Sequence, residues 1–510
     1  DREKGSKEGD GWPCELFLWR ANNQEQLLQK LQQLQQAINA GAKPQLGDLS
    51  YTLMREAEKI PNAPVCLTIV AEDLNHLNTS ISQTLEHLNQ KKSTPLPLHI
   101  QINWQVNQNK DAIAFLFAGQ GSQYPDMARE LALYFPEMRE MLEFADKYLY
   151  SHFPQRLSQF IYPPSPYSAQ EDDDNRQALT NTDIAQPAIG TLEMGLLQIA
   201  HRLGLQADMV AGHSYGEYTA LHTAGVFSQG DLLRLSEIRG RIMATACQQM
   251  PGAMAVVQET REELLTHLKG FAGVVIANHN APLQSVISGS RSAVEEVVSY
   301  LNKNNIKARL LPVAGAFHTR LLTQAQIPLA KAIAATDIQL PKIPVYANST
   351  AQPYDMEVDA IRNQLSKHLL ESVEYVNQIK AMYEKGARVF IELGPKSVLT
   401  KLNSQNLAQK PHIAVSFDGN GGGLRGFLIT LGSLIVQGVK VKSLALFNNR
   451  NVQELDLSSL VELTQQPPLP KTTWLLNGGS IRNQTEIIGC TGKLPPFNQD
   501  NQPVLKPGQI

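Results

Sequence analysis

The stretch Met209-Val210-Ala211-Gly212-His213-Ser214-Tyr215-Gly216-Glu217 sets the reading of the whole chain. Three apolar residues run into a glycine, a serine stands two places after it and two before a second glycine, and an alanine- and leucine-rich run continues to Ala224. Strand, glycine turn, helix is the punctuation of an α/β protein. The inner five residues fit G-x-S-x-G, the nucleophile elbow, where small residues let the chain turn sharply and expose a serine. That serine meets the free N–H groups of the following helix, a setting that favours developing negative charge.

A similar unit precedes it: a strand from Ala112 to Phe117, the loop Gly119-Gln120-Gly121-Ser122-Gln123, and a helix from about Asp126. Downstream, residues 252–313 read as strand (Met254 to Gln258), helix (Arg261 to Leu268), strand (Gly273 to Ala277), strand (Ser285 to Ser288), helix (Ala293 to Asn302) and strand (Ala308 to Val313). That order is the β-α-β-β-α-β unit of a ferredoxin-like insert. Buried strands then resume at Val345-Tyr346 and Val389 to Leu393. The expected fold class is α/β: a large α/β-hydrolase-like subdomain with a mainly parallel sheet (111–251 and 314–402) and a ferredoxin-like small subdomain (252–313).

Residues 1–110 form a separate α+β unit, with apolar stretches Cys14 to Trp19 and Val65 to Val70 and a polar helix after each; Leu27, Leu28, Leu31, Leu34 and Ile38 recur at helical spacing. Residues 403–510 carry Gly419 to Gly423, a buried-looking helix from Leu424 to Gln437, and a proline-rich tail from Pro467 with too few apolar residues to fold alone, expected to lie across other domains.

Composition narrows the function classes. The 510 residues suggest three or four domains at roughly 150 each. With 45 basic and 48 acidic side chains, a formal charge of -3 gives no basic surface for nucleic acid. The longest apolar run, Phe427 to Val439, falls short of the ~20 residues that cross a bilayer. Cys14, Cys66, Cys247 and Cys490 form no CxxC pair and read as packing thiols in a reducing cytoplasm. Glu171 to Asp174 lacks metal-ligand spacing and reads as a solvated surface loop. The opening at Asp1, with a charged, glycine-bearing start, reads as a piece of something longer.

A serine nucleophile at neutral pH needs a base, usually histidine. His318, in Gly315-Ala316-Phe317-His318, follows the last strand of the insert, where the chain returns to the large domain. His213 is nearer in sequence, but neighbouring side chains on an elbow point apart, so it reads as structural.

The chain resembles the acyltransferase of polyketide and fatty acid synthases, with its flanking linkers. The resemblance rests on Phe117 to Gln123, Gly212 to Glu217, Arg239-Gly240 with Met243, Ala316-Phe317-His318 and Glu392-Leu393-Gly394-Pro395, in family order. It implies that Ser214 attacks the thioester of an acyl-CoA with His318 as base, and that a carrier protein's phosphopantetheine thiol resolves the acyl-enzyme. It implies an oxyanion hole of the Gln120 and Tyr215 backbone N–H groups. Arg239 matches the family's arginine for a substrate carboxylate, and Phe317 resembles the malonyl-selective Ala-Phe-His, where methylmalonyl-selective members carry serine. Residues 1–110 then resemble the linker between ketosynthase and acyltransferase, and 403–510 the post-acyltransferase linker that wraps back. The implied partners are an acyl carrier protein and the ketosynthase and other domains of the same synthase; no cofactor is implied beyond malonyl-CoA as substrate.

Two positions depart from the pattern. Glu374 stands where relatives often have arginine, glutamine or asparagine, which puts in doubt the local charge around Arg239 and His318; a backbone carbonyl near it is what the resemblance assigns to orienting the histidine ring. Tyr215 replaces the leucine, valine or glutamine of many modular enzymes and, with the tail near Trp474, resembles iterative synthases. The other readings of the residues are a serine hydrolase or thioesterase, which expects an acid between serine and histidine in the chain, and a non-catalytic docking module.

Overall fold

The computed structural model describes residues 11–90, 95–106, 111–313, 315–463, 474–477 and 480–483. In chain order its first twelve strands are β1 (Glu15–Ala21), β2 (Val65–Ala71), β3 (Ile100–Asn103), β4 (Ala112–Phe117), β5 (Met209–Gly212), β6 (Gly252–Val257), β7 (Val275–Ala281), β8 (Gln284–Ser290), β9 (Ala308–Leu310), β10 (Val345–Tyr346), β11 (Ala387–Glu392) and β12 (Ile413–Ser416). Among the described residues no helix is long and apolar enough to cross a membrane.

The central sheet has the order β10-β5-β4-β11-β12, and every pairing in it is parallel. Its strands are short apolar runs because helices cover both faces. The helix Thr182–Arg202 is almost wholly buried, and Gly240 on the helix Gln229–Gln249 lets the two cross closely: a Cβ there would strike the Thr182 carbonyl. The ends of β4 and β5 lie side by side, Phe117 opposite Gly212, so the loops that follow them share one edge of the sheet. Ligand sites form at such carboxyl ends of parallel strands.

The small subdomain forms an antiparallel sheet in the order β9-β6-β8-β7, the ferredoxin-like arrangement, with its own core of Ala255, Val257, Leu264, Ile287, Val294, Val297 and Leu301. Its β7 starts two residues later than the sequence suggests and runs on to Ala281. The extension is held by the large domain: the His279 N–H donates to the Val373 carbonyl and the Val373 N–H to the Ala277 carbonyl, each at 2.8 Å. It carries Asn278 and Asn280 to the cleft between the subdomains.

The N-terminal unit is a three-stranded antiparallel sheet, β1-β2-β3. Alternation along its strands explains their continuous apolar sequence. Phe17, Trp19, Leu67 and Ile69 face one core with helices Gln24–Asn39 and Leu74–Gln90; Leu16, Leu18, Cys66 and Val70 face the other, which includes Leu424, Phe427, Leu428 and Leu431 of the helix Gly423–Val436. A further helix, Leu46–Glu58, was not legible in the sequence.

Three expectations need correction. The boundary at residue 402 is too early, because β12 pairs with β11 as the fifth strand of the central sheet. Glu171 to Asp174 lie in the helix Ala169–Thr180 rather than a loop: Ser168 caps its Glu171 N–H at 3.2 Å, and acidic side chains in a first turn complement the helix dipole. The helix expected from Asp126 begins at Arg129, since Asp126 and Ala128 take left-handed backbone conformations.

Beyond the helix Gly423–Val436 the chain returns to the N-terminal unit. Arg450 forms a two-pronged ion pair with buried Glu15 and lies over the Trp12 ring, Asp48 and Thr52 accept from the Gln453 and Leu455 N–H groups at 2.9 Å, and Leu460 enters the N-terminal core. Farther on, Trp474–Asn477 pairs antiparallel with Ser480–Asn483. The tail from Pro467 to Thr473 and Cys490 lie outside the described residues, while Cys14, Cys66 and Cys247 are buried free thiols.

Candidate active site

The loops after β4 and β5 touch backbone to backbone. A Cβ at Gly216 would strike the Phe117 carbonyl, one at Gly119 the His213 carbonyl, and one at Gly212 the backbone of Gly216. Glycine is therefore required on both sides of the turn. Within it Ser214 is left-handed, with φ 50°, a strained conformation for a residue with a Cβ. What holds it is Asn348, in the loop after β10: its Oδ1 accepts from the Ser214 N–H at 2.6 Å and its Nδ2 donates to the Gly212 carbonyl at 2.7 Å. Glu217 in turn fixes Asn348, accepting from its N–H at 2.5 Å and from its Nδ2, and also accepts from the Tyr354 hydroxyl.

Across the cleft His318 also has a left-handed backbone, φ 58°, and its Nε2 stands 2.8 Å from Ser214 Oγ. Its Nδ1 is 2.8 Å from the Glu371 carbonyl. A carbonyl only accepts, so the ring's proton lies on Nδ1 and Nε2 is left to take the serine proton. Burial, reinforced by the charge of Arg239, holds the imidazole down to about 3, so it is neutral at physiological pH. The ring is thus oriented by a backbone carbonyl, in the place where a serine hydrolase would set an acid.

The Gln120 and Tyr215 N–H groups find no acceptor among the described residues. The Tyr215 side chain points away from them into the core, where its hydroxyl lies 2.6 Å from Ser236 Oγ beside Gly190. Ser214, His318, Gln120, Arg239, Phe317, Met243, Asn278 and Asn280 together border a cavity of about 370 Å³. His213, next to the serine, has its Nε2 2.7 Å from Asn280 Oδ1 and so ties the elbow to the small subdomain.

Arg239 is only 1% exposed. Its guanidinium lies 5.4 Å from the centre of the Tyr218 ring, its Nη2 approaches His368 Nδ1 at 3.5 Å, and its Nε has no partner among the described residues. Removing a charge from water costs several kcal/mol, and among the described residues no carboxylate is hydrogen-bonded to Arg239. Phe317 covers the cavity next to the histidine.

Glu374, the position that raised a question about charge, faces elsewhere. Its carboxylate pairs with Arg261 Nη1 at 2.6 and 2.7 Å and accepts from Ser372 Oγ and Asn377 Nδ2. None of these contacts reaches Arg239 or His318. The backbone carbonyl expected near position 374 to orient the histidine is that of Glu371; sequence reading missed Asn348 and His368. A polar residue just after a buried strand, as in Tyr346-Ala347-Asn348, is a signal for the first.

A model of the family described as "Acyl transferase domain" matches residues 114–441. The chain is 34% identical over 311 residues to the malonyl CoA-acyl carrier protein transacylase of Bacillus subtilis, covering 60% of this chain and 93% of that protein. It is 33% identical over 303 residues to the spectinabilin polyketide synthase system protein NorB of Streptomyces orinoci, covering 59% of this chain and 14% of that protein. Among solved structures, the acyltransferase domain from the second module of the salinomycin polyketide synthase superposes with a TM-score of 0.66 at 26% identity, over 88% of this chain and 99% of that one. The chain spans 11% to 25% of the length of four larger proteins it matches. With the matched model covering more than half of its length and the elbow, base and parallel sheet in place, the chain belongs to the acyl transferase domain family.

Proposed function

We propose that the chain moves a malonyl group from malonyl-CoA to the phosphopantetheine thiol of an acyl carrier protein, through an ester on Ser214. The observation that carries the reading is Arg239, a buried guanidinium with no carboxylate partner among the described residues, on the wall of the Ser214–His318 cavity. Guanidinium binds carboxylate through two parallel hydrogen bonds and keeps its charge when desolvated, which suits a donor with a free carboxylate rather than acetyl-CoA. The bulk of Phe317 disfavours an α-methyl substituent, a discrimination worth about 1–3 kcal/mol.

In the forward step Ser214 Oγ attacks the thioester carbon while His318 Nε2 takes its proton. The oxyanion is met by the Gln120 and Tyr215 N–H groups, each such donor being worth about 3–4 kcal/mol of barrier. The C–S bond breaks, and the CoA sulfur leaves with the proton from His318. In the return step the carrier thiol gives its proton to His318, its sulfur bonds to the ester carbon, and the C–O bond breaks as Ser214 recovers its proton. No cofactor of the chain's own enters this scheme. We place the reaction in the cytoplasm, with the ketosynthase and other domains of a larger synthase as neighbours.

The test is Arg239→Ala, followed by intact mass after mixing with malonyl-CoA or acetyl-CoA. Malonyl loading should fall about a hundredfold, the order lost with a charge-assisted contact, while acetyl loading persists or rises. Equal loss of both would remove carboxylate recognition from the role of Arg239.

A further inference from the structure

His368, the residue ending the helix Val358–Lys367, is buried in the wall behind the cavity and belongs to none of the motifs that mark the site. A guanidinium and a carboxyl group stand on either side of its ring. Its Nδ1 lies 3.5 Å from Arg239 Nη2, and its Nε2 lies 3.9 Å from Glu217 Oε2. Glu217, an acid within electrostatic reach of Arg239, has its oxygens engaged by Asn348 and Tyr354 on the far side of the imidazole. The ring is set edge-on to both Tyr218 and His318, with centroids 5.8 and 5.7 Å away, which fixes its plane between the two groups.

Without such a spacer, a buried guanidinium and a nearby carboxylate attract strongly in a low-dielectric interior. A direct Arg239–Glu217 pair would neutralise the cation while Glu217 kept its hydrogen bonds to Asn348 and Tyr354. We propose that His368 is a positioning residue that keeps the Arg239 guanidinium off Glu217, leaving it free for the carboxylate of the incoming donor. This rests on the malonyl reading above. Neutral imidazole has the right groups, since it accepts from Arg239 at Nδ1 and turns an Nε2–H, unpartnered among the described residues, toward the Glu217 side. Burial and the charge of Arg239 keep it neutral, its pKa well below the ordinary histidine value.

The test compares His368→Leu, which fills the space without polar atoms, and His368→Gln, whose amide again offers one acceptor and a donor. Acyl-enzyme formation is followed by intact mass over a range of malonyl-CoA and acetyl-CoA concentrations. The leucine variant should raise the half-saturating malonyl-CoA concentration about tenfold with the maximal rate within about twofold, lowering the malonyl-to-acetyl preference by a similar factor. The glutamine variant should recover most of that preference. If leucine is not tolerated, His368→Ala is read for the same split. An unchanged malonyl-to-acetyl preference, or a glutamine variant no better than leucine, overturns the inference while leaving the malonyl reading in place. A wild-type protein that malonyl-CoA does not acylate overturns that reading, and this inference with it.

Discussion

The two sides of the cavity are built on opposite principles. On the nucleophile side, Ser214 is held through its main chain: the loops after β4 and β5 meet at Gly119 and Gly216, the Asn348 side-chain amide grips the turn through the Ser214 N–H and the Gly212 carbonyl, and a backbone carbonyl orients the His318 ring. On the Arg239 side nothing so direct is at work. A cation sits inside the protein with Tyr218 and His368 beside it and its Nε unpaired among the described residues. The first side is pre-assembled, with only the Gln120 and Tyr215 N–H groups left without an acceptor among the described residues; the second holds a cation with no carboxylate hydrogen-bonded to it. On the proposed reading, chemistry common to all thioesters belongs to the first, and discrimination between donors to the second.

Loss of the base should strike this division hardest. His318→Ala should slow acylation about a thousandfold or more, and by the same factor for malonyl-CoA and acetyl-CoA, because proton transfer contributes on the order of 10²–10⁴ whatever the acyl group. Stopped-flow or quenched mass measurements with the two donors check this. A loss confined to malonyl-CoA would dissolve the distinction between the sides.

Acid probes the base of the pre-assembled side. An imidazole held at about 3 stays unprotonated, and so remains a base, at pH 5, where one at the ordinary 6.5 would be almost fully protonated. Protonation of His318 should therefore contribute no more than about a twofold change to acylation of folded protein between pH 7 and 5, read as initial rates of acyl-enzyme formation. A tenfold decline centred near pH 6.5 would show that His318 is not buried as described. The same shift affects stability: the contribution of a neutral His318 is complete above pH 6.5 and is lost as pH falls toward 3. Glu217 and Glu392, whose burial holds them up at about 7, act with the opposite sign.

The mildest outcome is expected at Glu374, whose carboxylate pairs with Arg261 and belongs to neither side. Glu374→Gln should leave both donors' loading rates within about twofold, since a partly exposed ion pair contributes at most ~1 kcal/mol. A selective loss of malonyl loading would place Glu374 in the field of Arg239 after all.

The difference between the two sides also explains what was legible in the sequence. An elbow writes itself in residue types, because only glycine permits the approach at Gly212, Gly216 and Gly119, so strand, turn and serine are visible together. The ferredoxin-like insert was visible for a similar reason, since each of its strands and helices carries a local period. Position 374 misled because a side chain's direction is set by its partner, here Arg261, 113 residues away in sequence. His368 was one of twelve histidines with no local mark, since its meaning comes from standing between Arg239 and Glu217. The fifth strand, β12, was lost because Ile413 to Ser416 is four residues long and is defined only by pairing with β11.

Both sides of the cavity matter only if donors pass through an ester on Ser214. Intact mass after brief incubation with malonyl-CoA reads that ester: the wild-type chain should gain the mass of one malonyl group and Ser214→Ala should gain none. Equal labelling of the two, or no labelling of a folded wild-type chain, would contradict it.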